Sequence, residues 1–76
     1  MPQHNAVQAN SAQAGKVYRY RVIDFQKGLD ILVLCDELED AVKAKREYEA
    51  ERQESEIFIT IYDDRLGRYI MTRIDK

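Results

Sequence analysis

The chain has few of the residues with which small proteins hold themselves together by covalent bonds or metal ions. Its 76 residues include one cysteine, one histidine, one proline, three glycines and no tryptophan. A single cysteine cannot form an internal disulfide, and a cysteine-rich zinc site is excluded by count. We therefore expect no metal and no other cofactor.

Long apolar runs and a strong excess of one charge are also absent. No stretch approaches eighteen consecutive apolar residues, so the sequence predicts no membrane-spanning helix. The 12 Lys+Arg and 14 Asp+Glu residues give a formal net charge of −2, which favours neither nucleic acid nor a membrane surface. The start of the chain lacks the basic and apolar pattern of a signal peptide, so a cytoplasmic protein is expected.

Residues 1–15 differ in composition from the rest of the chain. They are mostly Gln, Asn, Ala and Ser, with Val7 as the only branched apolar residue. Such a segment buries too little surface to offset the entropy lost on ordering. The sequence predicts a disordered tail over 1–15 and one folded domain over 16–76, which is small enough that stabilisation by dimerisation is expected.

Four strands and one helix are predicted in the folded domain. Residues 17–25 and 31–35 are rich in β-branched and aromatic residues, and a turn at Gly28 between them predicts a hairpin with Val22 opposite Leu32. A second hairpin is predicted from the period-two pattern that follows the helix. Its predicted strands are 57–63 and 68–74, and the turn between them is Asp64–Gly67. The predicted pairs are Ile61 opposite Ile70 and Tyr62 opposite Tyr69.

The helix is predicted over Glu37–Gln53. Asp36 lies three residues before Glu39, which is the spacing of a capping box, and acidic residues are favourable at this end of the helix dipole. An apolar stripe at helical spacing is expected to face the sheet. Its members are Leu38, Ala41, Val42 and Tyr48.

The element order β-β-α-β-β indicates an α+β fold with a four-stranded, mainly antiparallel sheet and the helix on one face. A right-handed crossover over the first hairpin favours the spatial order 2-1-3-4, in which all neighbours are antiparallel. The order 1-2-3-4, with one parallel pair, is the alternative.

Catalytic groups are scarce. Cys35 precedes the helix and has a reactive-thiol interpretation, but a buried apolar thiol is the simpler one. Asp63 and Asp64 stand before a turn, where Asp is expected for local hydrogen bonding. The only histidine, His4, lies in the predicted tail. The sequence therefore predicts a protein without enzymatic activity.

The sheet face opposite the helix is the candidate site. One helix covers one side of a sheet, so the other side is expected to expose aromatic, methionine and arginine side chains, a composition typical of protein interfaces. Plain cross-strand stabilisation and stacking of single-stranded nucleic acid are the two alternatives. The predicted residues are Arg19, Arg21, Phe58, Tyr62, Tyr69, Met71 and Arg73.

These features predict a small protein-binding module that acts as a regulator, adaptor or inhibitor of a larger protein, or that pairs with itself as a homodimer. A single-stranded nucleic-acid-binding domain is the alternative. The helix offers a second surface, because residues 36–56 hold nine acidic and four basic residues.

Overall fold

Strands and helix form close to where the residue pattern predicts them. The computed structural model describes residues 6–11, 15–26 and 28–71. Within these ranges, one α-helix and five strands make up an α+β domain. In chain order they are β1 (Val7–Gln8), a 3-10 turn (Ala9–Ser11), β2 (Tyr20–Asp24), β3 (Asp30–Cys35), α1 (Leu38–Glu51), β4 (Ile57–Asp63) and β5 (Arg68–Met71).

The sheet has the order β1-β3-β2-β4-β5, and all its neighbours are antiparallel. The four predicted strands keep the relative order 2-1-3-4. The prediction of a four-stranded sheet is nevertheless wrong, because β1 adds a fifth strand beside β3. This order places β2 at the centre between β3 and β4, and the helix lies across these three strands.

The additional strand comes from the segment for which the sequence predicts a disordered tail. Val7 pairs with Leu34 and Gln8 with Val33, and Ala6 packs against the core. The edge of β3 presents unpaired backbone N–H and C=O groups, which can hydrogen-bond to another strand. This pairing orders the segment, although its own polar side chains would not. The prediction is therefore corrected for residues 6–11, whereas residues 1–5 and 12–14 lie outside the described residues.

The first hairpin departs from its predicted register through a β-bulge. Close to the turn, Ile23 pairs with Ile31, but the register shifts between Val22 and Ile23. Val22 consequently lies opposite Val33, and the prediction that it faces Leu32 is wrong. A bulge places one extra residue in one strand, which moves the side chains beyond it to the other face of the sheet.

The bulge brings Val33 and Cys35 to the side of the sheet that packs against α1. The buried core on this side also contains residues from β2, α1 and β4. Its members are Val22, Leu32, Val33, Cys35, Ala41, Ala44, Ile57 and Ile59.

The helix packs on this core through two alanines. Ala41 and Ala44 are its buried residues, with Val42 and Tyr48 partly buried around them. Leu38, predicted to belong to the stripe, is 37% exposed and is not part of the buried core. In the described part of the chain the single α-helix is too short and too polar to cross a membrane.

Both helix ends differ from the prediction. The residue before the helix is Glu37, which makes no side-chain cap, and Asp36 does not form the predicted capping box. Its carboxylate instead accepts hydrogen bonds from Lys16 Nζ at 2.9 Å and from the Arg19 backbone N–H at 3.2 Å. Asp36 therefore joins the segment before β2 to the start of the helix. At its other end the helix stops at Glu51, and not at the predicted Gln53.

The second hairpin matches its predicted register. Ile61 pairs with Ile70 and Tyr62 with Tyr69. The turn ends at Gly67, whose φ of +67° is a conformation that glycine adopts without steric cost. The predicted continuation of the last strand beyond Met71 lies outside the described residues.

One ion pair joins the end of the helix to the sheet. The Asp24 side chain is buried, and it accepts hydrogen bonds from Arg52 Nη1 at 3.1 Å and from the Gln26 backbone N–H at 3.0 Å. The hydrogen bond from Gln26, together with those from Ser55 and Arg52, lowers the pKa of Asp24 below its ordinary value of 3.8. The ionised carboxylate is therefore the form that stabilises the fold.

Acid is expected to destabilise the wild-type chain more than the variant Asp24→Asn. A carboxyl group with a depressed pKa contributes stability that is complete above its unfolded pKa, near 3.8, and that is lost as the pH falls through its folded pKa. Urea unfolding at pH 6 and at successively lower pH values measures both losses. Asp30→Asn, which changes an exposed carboxylate on the neighbouring strand, is the control, and equal losses in wild type and Asp24→Asn would contradict this role.

Candidate functional site

The side of the sheet away from α1 is named here the open sheet face. Side chains alternate between the two sides of the sheet along β2 and β4. Val22 and Ile59 point to the helix, so their neighbours in the strand point to the open sheet face. The same alternation assigns residues of β5 through their β4 partners. The side chains of this face that carry the site are Arg21, Phe58, Thr60, Tyr62, Tyr69 and Met71.

Arg21 lies at the centre of the open sheet face. Its Nε donates a hydrogen bond to Thr60 Oγ1 at 3.2 Å, and its guanidinium carbon lies 4.0 Å from the centre of the Tyr69 ring. Partial burial lowers the pKa of Arg21, although the guanidinium group remains charged at neutral pH. The hydrogen bond and the ring contact together fix the direction of the side chain.

Two tyrosines form the aromatic part of the face. The Tyr62 and Tyr69 rings pack edge to face, with centres 5.2 Å apart. The Tyr69 hydroxyl donates a hydrogen bond to the Tyr18 carbonyl oxygen. Burial raises the pKa of Tyr69, so the hydroxyl keeps the proton that this bond uses. Tyr69 thus links β5 to the segment before β2 and is held in a fixed orientation.

Met71 and Phe58 supply the apolar part. The Met71 side chain is paired in register with buried Thr60 and is 50% exposed. Phe58 lies beside Ile23 and is partly buried. A half-exposed methionine is flexible and polarisable, which suits contact with an irregular apolar surface.

The three predicted arginines have different positions. Arg21 belongs to the face, whereas Arg19 lies before β2, where its backbone N–H binds Asp36 and its carbonyl oxygen accepts from the Tyr62 N–H at 2.8 Å. Its surroundings are a shallow groove that also contains Val17, Asp36, Tyr62 and Asp64. Arg73 lies outside the described residues.

Thr60 is a site residue that the sequence reasoning missed. It is buried, and its hydroxyl both accepts from Arg21 Nε and donates to the Arg21 carbonyl oxygen at 3.4 Å. Its place between Phe58 and Tyr62 in a period-two strand was the available signal, because that spacing assigns it to the same face. The carbonyl contact of Tyr18 has no comparable sequence signal.

Other reactive groups are few in the described ranges. Cys35 is buried as a free thiol, and burial raises its pKa from 9.0 to about 12. No three His, Cys, Asp or Glu side chains within 6–11, 15–26 and 28–71 are grouped so as to hold a metal ion. The chemistry of the site is therefore that of aromatic, apolar and guanidinium contacts.

In comparisons with known proteins, the chain matches no family model, no curated protein and no solved structure.

Proposed function

We propose that this protein is a small, non-enzymatic protein-binding module that docks through the open sheet face. The observation that carries the proposal is the half-exposed Met71 next to a held Arg21 and two packed tyrosines, on the one side of the sheet that α1 does not cover. Arginine and tyrosine are enriched among residues that contribute most to binding energy in protein interfaces.

The arrangement of the face supports docking because its larger side chains are already ordered. Arg21 is held by Thr60 and Tyr69, and Tyr69 is held by Tyr18. Immobilising a side chain on binding costs roughly 0.5–1.5 kcal/mol, and a side chain that is fixed beforehand avoids most of this cost. The face therefore resembles a preorganised binding surface more than a simple set of cross-strand pairs.

Single-stranded nucleic-acid binding is the second candidate function, supported by arginine next to tyrosine. Base stacking needs an open ring face, but the Arg21 guanidinium group covers one face of Tyr69, and Tyr62 packs against Tyr69 by an edge contact. The formal net charge of −2 and pI of about 5.3 also oppose attraction to a polyanion. These contacts favour a protein partner.

Regulation or inhibition of a larger protein in the cytoplasm is the role we propose for such a module. If the partner is a second copy of the chain, docking through the same face forms a homodimer. The buried thiol of Cys35 supports a role without nucleophilic catalysis, because the thiolate is the reactive form and burial suppresses it.

Substitution Met71→Glu is expected to weaken docking by about tenfold or more. It places a charge within an apolar contact, which disfavours burial of this position against a partner. Wild-type protein and Met71→Glu serve as baits for nuclease-treated extracts of the native cell, and captured proteins are quantified by mass spectrometry. Sedimentation of the bait alone measures self-association.

Leu29→Glu is the matched control, since Leu29 is 56% exposed and lies in the turn between β2 and β3, away from Met71. The proposal expects partners, or a dimer, that Leu29→Glu retains and Met71→Glu loses. Equal retention by both variants would overturn it. Capture that disappears on nuclease treatment would indicate nucleic-acid binding in its place.

A further inference from the structure

Arg21 is a partly buried cation without an acidic partner in the part of the chain that the structure describes. Lys45, the other partly buried cation in these ranges, has one, with its Nζ 2.7 Å from Glu49, and even the more exposed Arg52 is paired, with its Nη1 3.1 Å from Asp24. Within the described ranges, the side chain of Arg21 contacts neutral groups, the Thr60 hydroxyl and the Tyr69 ring. Removing a charge from water without pairing it is unfavourable, so such a group favours an incoming anion.

The contacts of Arg21 orient it for such an anion. They use Nε and one face of the guanidinium plane, while the two terminal nitrogens make no hydrogen bond to any described residue. A guanidinium group presents paired N–H donors whose spacing matches the two oxygens of a carboxylate. Because Thr60 is buried and holds Nε, the side chain does not need to reorganise before it binds.

We propose that Arg21 receives an aspartate or glutamate side chain of the docking partner, with apolar residues on either side of it packing on Phe58 and Met71. This inference rests on the proposed docking function and specifies the chemistry of the partner. Charge complementarity carries it, since Arg21 is the charged member of the described open sheet face and lies at its middle, where its neighbours are aromatic or apolar apart from Thr60. The partner segment is thus acidic at one position and apolar at its neighbours.

A selection of phage-displayed 12-residue peptides on immobilised wild-type protein tests the inference. Peptides that bind wild type but not Met71→Glu are expected to share one Asp or Glu between apolar residues. Fluorescence polarisation then measures the affinity of one such peptide and of its amide counterpart, with Gln for Glu or Asn for Asp. The amide peptide is expected to bind wild type about tenfold more weakly.

Arg21 variants make this result specific. Arg21→Gln is expected to lose about tenfold in affinity for the acidic peptide and to bind the acidic and amide peptides equally. Arg21→Lys, which keeps the charge without the paired donors, is expected to lie between them. Arg68→Gln removes an arginine from the opposite side of β5 and serves as the control, with affinity unchanged within about twofold. Circular dichroism verifies that each variant is folded.

The possible failures of the inference and of the docking function are distinguishable. Two results would overturn the carboxylate contact alone. One is a set of peptides that depend on Met71 but show no preference for Asp or Glu. The other is a pair of affinity losses, from Arg21→Gln and from the amide peptide, that are additive when the two changes are combined. A selection without any peptide sensitive to Met71→Glu would overturn both. Self-association that Arg21→Gln abolishes, or binding of a single-stranded oligonucleotide that Arg21→Gln abolishes, would overturn the choice of a separate acidic partner protein.

Discussion

Replacing Ile59 by alanine is expected to lower the free energy of unfolding by about 3 kcal/mol, which is a large part of the stability of a domain this small. Ile59 is 1% exposed and lies between Val22 of β2 and the helix residues of the core. Alanine removes three carbon atoms from this position and leaves a cavity, because the paired strand β2 and the helix packed above it limit how far the backbone can relax. Urea unfolding followed by circular dichroism measures the change.

Leu66→Ala provides the comparison for this variant. Leu66 is 55% exposed in the turn between β4 and β5, so its truncation is expected to change stability by less than about 0.5 kcal/mol. A loss below about 1 kcal/mol for Ile59→Ala would contradict the placement of Ile59 beneath the helix. That result would also mean that the side of the sheet facing α1 is incorrectly assigned. The assignment of the opposite open sheet face would then be wrong as well.

The native Cys35 thiol is expected to react about a thousandfold more slowly at pH 8 than the same thiol in the unfolded chain. Its pKa is raised from 9.0 to about 12, with burial as the main cause, and this lowers the thiolate fraction by about three orders of magnitude. The side chain is also fully buried between β3 and the helix. Labelling with a thiol reagent, in buffer and in concentrated urea, measures the two rates.

The same shift predicts a pH dependence of stability on the alkaline side. A thiol whose folded pKa is raised contributes stability that is present below the unfolded pKa, near 9, and that is lost as the pH rises towards about 12. Cys35→Ala is the control, since it has no thiol to ionise.

In the labelling experiment, rapid reaction of the folded protein would contradict the buried position of Cys35 and would restore the reactive-thiol interpretation.

The second hairpin is the part of the fold that the sequence predicts best. Alternating isoleucines along β4 and a turn ending in Gly67 specify both the strands and their register, and Tyr62 pairs with Tyr69 as expected. Local signals suffice here because the two strands are neighbours in the chain and the turn connecting them sets their pairing.

Other features depend on partners that are distant in sequence. The bulge between Val22 and Ile23 has no local signal, and β1 forms only because the edge of β3 is available to it. Asp36 has the spacing of a helix cap, but Lys16 and the Arg19 N–H, which come before it by 17 residues or more, take its carboxylate. Tertiary contacts of this kind override local preference, and periodicity does not reveal them.

The composition of the candidate site is predictable, whereas its internal contacts are not. A period of two assigns Phe58 and Tyr62 to the face away from the helix, as the structure also does. That Arg21 stacks on Tyr69, and not on a neighbour in its own strand, follows from the β2–β4–β5 order together with the buried Thr60 between them. These contacts distinguish an ordered arginine from an exposed one.

Hydrogen exchange of the free and partner-bound protein tests docking on the open sheet face most directly. The wild-type chain is compared alone and with the protein that it captures, and protected segments are located by mass spectrometry. Protection is expected over β2, β4 and β5, in the segments that contain Arg21, Phe58 and Met71. Protection confined to the acidic helix Leu38–Glu51, with the strands unchanged, would contradict the assignment of the binding surface.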